Sequence, residues 1–461
     1  MDRYCRLFCP VEPAFDPCVM TSLGLSMKSE MTGGSNLPSL PTTLPVGFTY
    51  FGQFIDHDLT RDDTALQDAG KLSPVETLNH GGGLLDLSHI YGDGPGSDAH
   101  GHLYGPDGAS FLLDDARING EQFDLRLKGD KPQTADDRNI ENIFLRQLCV
   151  VFMKLHNLAV SHPLAGDQGK DPFEVARNRV RWQYQWIVRH EYLAAVCSYS
   201  VYRDLFGDQG YEAKPQKIDW CSDGFAIPVE FSHAAFRFGH SLVRPSYIIN
   251  SQSGKVPLEE ILGNPEGSIS ADRLADWCSF LQHGGKEGPE LAMAFDTRIA
   301  RPLFHLPADH FHHLITGYSP DLPPELPVRT LRRGAAIGLA SGEEVASKLG
   351  RVPLRQTKPE GYKTDPWANL DELGLAERTP LWYYVLLEAE LEQRGLKLGT
   401  VGSRLVAETI EGSLRADRDS FLSRHGPGWV PPTWTDFKGD QAEIRRLVDV
   451  TTTVGLASCP S

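Results

Sequence analysis

The run Gln53-Phe54-Ile55-Asp56-His57-Asp58 sets an amide, two carboxylates and an imidazole side by side. On a helix, positions four apart share a face, so Gln53 and His57 point the same way and Asp56 borders them. Asp58 points elsewhere. One turn would offer a base and an amide to one cavity and a carboxylate to a second site; a solvated polar turn would look the same. Asp137-Arg138-Asn139-Ile140-Glu141 places a guanidinium and a carboxylate three apart. Alone, that is an ordinary intrahelical ion pair. Phe236-Arg237-Phe238-Gly239-His240-Ser241-Leu242 sets an imidazole in an apolar stretch beside a glycine, where a flat ligand could approach the backbone. The alternative is a hydrogen-bonded core histidine. Finally, Gly82-Gly83-Leu84-Leu85-Asp86-Leu87-Ser88 offers carbonyls, a carboxylate and a hydroxyl at alternate positions. Hard cations such as calcium take such oxygens, and Asp58 could complete the shell.

Helices must hold these groups. Residues 46–61 read as one, and the 3.6 period of Ile140, Ile143, Phe144, Leu148, Val151, Phe152 and Leu155 predicts another over Arg138 to His156. Asp136 and Asp137 at its start suit the helix dipole. A longer helix is predicted from Pro172 to Phe206, capped by Asp171, supported by Glu174 and ended by Gly207. Residues 229–243 predict a short helix. Helical patterns recur near 290–318, 343–350, 380–395 and 401–415, whereas 62–135, rich in Gly, Asp and Pro, reads as loops. No repeat of 20–50 residues is visible. The expected organisation is mainly α: an irregular arm over 1–45, one large helical domain over 46–440, and a C-terminal segment, 441–461, packed on it.

Composition narrows the partners. With 61 acidic against 45 basic residues and a formal charge of -16, the surface repels nucleic-acid phosphates and anionic membranes. No stretch approaches the roughly 20 apolar residues of a membrane span. The first residues, MDRYCRLFCPVEPAFDPC, lack the apolar run of a signal peptide. The 8 cysteines leave disulfide connectivity unreadable. Cys149 and Cys197 fall in apolar helical patterns and read as buried small hydrophobes. No CxxC pair supports a structural zinc site. His310, His312 and His313 could bind a transition metal but read equally as a histidine-rich loop or helix end.

Taken together and in order, these pieces resemble the animal haem peroxidase superfamily from about residue 46 to 440: the Asp-His-Asp turn, the Gly82–Ser88 loop, the Arg138-x-x-Glu141 start, Leu155-His156-Asn157, Phe236 to His240, and Arg332-Arg333-Gly334. The resemblance implies a single large helical domain that binds haem b and calcium and reduces hydrogen peroxide while oxidising a halide, thiocyanate or phenol. His57 would be the distal base, taking a proton from peroxide and returning it to the departing oxygen. Arg138 would stabilise the charge developed as the O–O bond breaks, and Gln53 would order water or halide. His240 would bind the iron from the other side, leaving one face open. Asp56 and Glu141 match carboxylates that form ester bonds to haem. Arg237 and Arg333 match basic residues near the propionates and the proximal side. Asp58, Gly82, Leu84 (through its backbone), Asp86 and Ser88 match calcium ligands, with Gly82 where a threonine is common. Two departures stand out. Asn142 replaces the methionine that gives myeloperoxidase a third haem link. Thr330 replaces the asparagine that usually accepts the proximal histidine's N–H. The superfamily also holds fatty-acid dioxygenases, which use a tyrosine three residues before the proximal histidine; that position here is Arg237. A non-catalytic haem or calcium binder is a further alternative.

Overall fold

A computed structural model of the protein describes residues 3–29, 42–71, 73–114, 117–118, 121–218, 224–263, 266–281, 290–306, 323–357, 365–457 and 459. The predicted His310, His312 and His313 site lies outside these. Helices dominate: α1 (Pro17–Ser26), α2 (Gly47–Leu59), α3 (Ile143–Ser161), α4 (Pro172–Ile187), α5 (Tyr199–Phe206), α6 (Gly239–Leu242), α7 (Leu326–Ala336), α8 (Leu381–Gln393), α9 (Thr400–Ala416) and α10 (Leu447–Thr453), with shorter pieces between. Strand is confined to five two-stranded pairs among the described residues.

α2 and α3 form the centre. Both are buried around most of their circumference, which is why their apolar residues crowd every face rather than one stripe. α3 is also long and apolar enough to cross a membrane, but 78% of its most apolar stretch lies inside the protein; its hydropathy reflects the core. Phe51 and Phe54 of α2 stack on Phe152 of α3, with ring centroids 6.5 and 5.2 Å apart. Tyr184 of α4 meets Phe54 edge-on at 6.0 Å.

The helical pattern near 290–318 is not realised in its described part: residues 290–306 hold only a 3-10 turn at Arg301–Phe304, with Pro302 in its first turn, and 307–318 lie outside the described residues. The other predicted helices exist, but three are broken. Asn142 interrupts the one expected over Arg138 to His156. Its side chain accepts from the N–H groups of Phe144 and Leu145 at 3.1 and 3.0 Å, so it caps α3. Asp137–Ile140 forms a separate 3-10 turn. The 172–206 stretch begins as expected, with Asp171 accepting from Phe173 N–H and Pro172 in first position. It then passes through a π-helical turn at Val188–Tyr192 and breaks at Cys197 before α5. The 229–243 stretch becomes Val229–Ser232, a 3-10 turn at Ala235–Phe238, and α6.

The first and last described segments are tied down. Tyr4–Cys5 pairs in parallel with Ile227–Pro228, and the buried Glu230 carboxylate accepts from the N–H groups of Leu7 and Phe8 at 3.2 and 3.1 Å. α1 packs on α7 so closely that a Cβ on Gly24 would sit 2.8 Å from Val328. α10 lies against α3 and the short Trp277–Leu281 helix, and Cys278 is disulfide-bonded to Cys459. Cys149 and Cys197 are buried thiols.

Candidate functional site

α2 presents His57 and Gln53 on one face. Gln53 Nε2 donates to Glu141 Oε2 at 2.8 Å, and Asn142 Nδ2 donates to Gln53 Oε1 at 3.1 Å. His57 Nε2 lies 3.7 Å from the same Glu141 oxygen. Burial, then the charge of Arg138, hold the His57 imidazole well below the usual histidine range, so it is a neutral base at pH 7. Burial pushes the Glu141 carboxyl up to about 8 despite the neighbouring Arg138, so it is mostly protonated there. Asp56 is also raised by burial, although Arg237 and Arg138 pull it down, and Thr60 donates its hydroxyl to it at 3.0 Å.

Arg138 braces this face from behind. Its guanidinium donates to Asp136 through Nε at 3.1 Å and Nη2 at 2.7 Å, to the Thr60 carbonyl through Nη1 at 2.7 Å, and to the His57 carbonyl through Nη2 at 2.8 Å. Those carbonyls end α2, where helical acceptors lack intrahelical partners. Burial alone would lower its pKa, but Asp136, Glu141 and Asp56 together outweigh burial and the net shift is upward; the charge is permanent. Most of its N–H groups are thus committed to protein acceptors. Composition could not reveal that clamp, although Asp136 at the start of the 3-10 turn was its visible element.

α6 carries His240 directly against α2. Its ring meets Trp382 of α8 edge-on at 5.7 Å, and the Trp382 indole donates to the Arg237 carbonyl at 3.1 Å. His240 Nδ1 is buried with no hydrogen-bond partner. Burial, then Arg237, lower its pKa to about 3, so the ring is neutral. A Cβ built on the adjacent Gly239 would find nothing within 4 Å. A neutral imidazole beside open space is a metal-ligating group with room for a flat cofactor, so these residues fit haem. Arg237 donates through Nε to the Ser232 carbonyl at 2.9 Å and is lowered by burial and by Arg333. Two converging cations suit propionate carboxylates.

Arg333 of α7 donates to Asp62 Oδ2 at 2.9 Å and to the Thr64 carbonyl at 2.7 Å. His233 Nε2 lies 2.9 Å from the same Asp62 oxygen, and its Nδ1 lies 2.7 Å from Ser232 Oγ. Sequence reasoning missed this Asp62–His233 link; its partners lie 171 residues apart, and no local spacing signals it. Thr330 spends its hydroxyl on the Leu326 carbonyl at 3.0 Å.

The second face of α2 carries Asp58, fully buried, which accepts from Leu87 N–H and faces His89 Nδ1, both at 3.1 Å. Burial and then Asp58 raise Asp86 to about 6. A buried and a half-buried carboxylate repelling each other beside carbonyl-rich turns fit a calcium ion, which would relieve that repulsion. Gly82 and Leu87 both take positive φ, shaping the loop around Asp86. Asp86 Oδ1 accepts from Ser88 N–H at 3.0 Å. Among the described residues, no group of three or more His, Cys, Asp or Glu side chains converges as a metal site, so further oxygens would come from the backbone and Ser88. Leu155-His156-Asn157 is structural: buried His156 bridges Tyr91 and the Ala109 carbonyl, and Asn157 pairs with the Phe111 backbone.

A family model described as animal haem peroxidase matches residues 61–310, a span that includes Arg138, Glu141 and His240 and begins just after His57. No curated protein matches the chain. Among solved structures, peroxidase A from Dictyostelium discoideum is similar at 15% identity and a TM-score of 0.65, covering 99% of this chain and 94% of that one. The fatty acid alpha-dioxygenase of Arabidopsis thaliana is similar at 15% identity and a TM-score of 0.63, over 96% and 76% of the two chains. That of Oryza sativa gives 14%, 0.64, 98% and 80%.

Proposed function

The chain belongs to the animal haem peroxidase family, and on that premise we propose that it reduces hydrogen peroxide while oxidising a small halide, thiocyanate or phenolic donor. The observation that carries this reading is the pairing of two neutral imidazoles on contacting helices: His57, buried near Glu141, and His240, half-buried beside the space at Gly239.

When bound, haem would supply the redox metal for peroxide reduction; His240 would hold it, and Arg237 and Arg333 would meet its carboxylates. The chain's own residues handle protons. Neutral His57 takes one from peroxide at Nε2 and returns it to the departing oxygen. Protonated Glu141, 3.7 Å away, adds no negative charge that would trap that proton on His57. Gln53, held by Asn142, fixes the Glu141 carboxyl and can order a water or anion. Arg138 contributes a permanent positive field, favourable as negative charge develops on oxygen, while its hydrogen bonds hold the end of α2. Asp56 and Glu141 are the candidate sites of ester attachment. Asp58, Asp86, Ser88 and the carbonyls of Gly82 and Leu84 are the candidate calcium shell, fixing α2 from its other face.

The test is His57→Ala. Haem binding should persist, and the spectral change on adding peroxide should slow by at least about a hundredfold, the lower bound for losing a general base. An unchanged rate would contradict the role. The fold shared with alpha-dioxygenases favours one second reading, a fatty-acid dioxygenase. Arg237, rather than a tyrosine, three residues before His240 weighs against it. Oxygen uptake on palmitic acid without peroxide would overturn the peroxidase reading.

A further inference from the structure

Away from both imidazoles, α5, the loop after it, the turn after the Gly342–Lys348 helix and the start of α9 enclose a cavity of about 590 Å³. Five cations line it: Arg203, Lys214, Lys217, Arg351 and Arg404. The carboxylates in its wall are Asp204 and Asp208. That excess of positive charge is unexpected in a chain of formal charge -16.

The cations are only loosely satisfied. Arg203 is 3.8 Å from Asp208, Lys217 is 3.4 Å from Asp204, and Lys214 is 3.5 Å from Glu212 just outside the wall. Exposed pairs at such distances contribute little and exchange readily for a ligand. Arg351 forms no ion pair with any described residue, though it is exposed on the rim. Only Arg404, 5% exposed, is firmly held, by Glu408 at 2.9 Å and by Asp204. Ser200 and Val201, from the first turn of α5, line the same cavity, and the N-cap Ser198 makes no side-chain cap hydrogen bond. The positive end of that helix adds to the field of the side chains.

The geometry points to a binding site for a small organic phosphate in this cavity. Guanidinium forks match phosphate oxygens. The volume exceeds that of a lone phosphate and falls in the usual range for small-molecule sites. Arg351 and Lys217 would take the phosphate oxygens from the rim, and buried Arg404 would hold the floor. No wall residue belongs to the His57, His240 or Asp58 clusters, so the site stands independently of the peroxidase reading.

Titration calorimetry of the full holoprotein with pyrophosphate at low salt tests it, with citrate as a carboxylate control of comparable charge. Saturable binding that weakens with salt is expected. Arg351→Glu and Lys217→Glu, both at exposed positions, should each weaken it by about tenfold or more, the equivalent of one charge-assisted hydrogen bond. Their circular dichroism and peroxide reactivity should match the parent protein. No saturable binding by pyrophosphate, equal binding by citrate, or undiminished affinity in both variants would each overturn the assignment.

Discussion

Replacing Thr330 by asparagine should lower the reduction potential of the bound haem. His240 Nδ1 is buried without an acceptor, whereas metal-bound imidazoles almost always donate that N–H to an oxygen. Thr330 does not fill that role: its hydroxyl donates to the Leu326 carbonyl, and His240 Nδ1 finds no acceptor. It lies three residues before Arg333, so both occupy one face of α7. Arg333 acts electrostatically on Arg237, three residues before His240, and α8, which carries Trp382, packs on α7. Asparagine is close to threonine in volume but reaches further and carries a free carbonyl. A new hydrogen bond of about 1–1.5 kcal/mol makes the imidazole more electron-donating and favours the ferric state. At about 59 mV for each tenfold in a one-electron couple, that is a fall of roughly 40–60 mV. Spectroelectrochemical titration of the holoprotein reads it directly. Thr330→Val is the control: it removes the hydroxyl without adding an acceptor, so stability should drop while the potential stays put. An equal shift in Thr330→Val, or none in Thr330→Asn, would refute the reasoning.

Three further outcomes follow from the same geometry. Asp136→Asn removes the anion that anchors Arg138; loss of one charge-assisted contact should slow the peroxide reaction about tenfold or more in stopped-flow measurements, and an unchanged rate would mean that Arg138 needs no anchor. Asp86 sits near 6 against about 3.9 unfolded, so without calcium its protonation favours the fold and that contribution is lost as pH rises from about 4 to 6. Calcium requires the ionised form, so the rise in Tm on adding calcium should be larger at pH 7 than at pH 5, where the proton competes by roughly tenfold; a pH-independent rise would remove Asp86 from the shell. After turnover with peroxide, denaturing mass spectrometry should find haem attached to the chain and Glu141→Gln should diminish that fraction, whereas haem released intact from the parent protein would exclude the ester links.

The parts of the site legible in the sequence were those set by local periodicity. Gln53 and His57 share a face because four residues make about one turn, but whether that turn was buried or solvated could not be read from the residues alone. Gly239 beside His240 marked a place where a flat ligand could approach the backbone, with a hydrogen-bonded core histidine as the other reading. What could not be read depends on distant pairings or on competition within one stretch. The period over Arg138 to His156 is continuous, yet Asn142 breaks it because its carboxamide satisfies backbone N–H groups better outside the helix than within it. The same break frees Asn142 Nδ2 to hold Gln53. Asp62 reads as one more acid in a polar loop until folding brings His233 and Arg333 to it. Arg138 read as a charge aimed at substrate; the structure adds that it closes the end of α2.

That double use of Arg138 explains an asymmetry between the two imidazoles. A metal ligand can be aimed by its metal: as an iron ligand, His240 would have its ring direction fixed by that bond, and a missing Nδ1 partner would change electron donation more than position. A free base has no such tether. His57 Nδ1 also lacks a partner, so its aim must come from its backbone, and the backbone is where the protein invests. Arg138 grips the His57 and Thr60 carbonyls, Asp136 grips Arg138, and Asp58, one residue on, is buried on the opposite face. Holding the helix rather than the ring leaves both imidazole nitrogens free to exchange a proton, which an acceptor on Nδ1 would have biased.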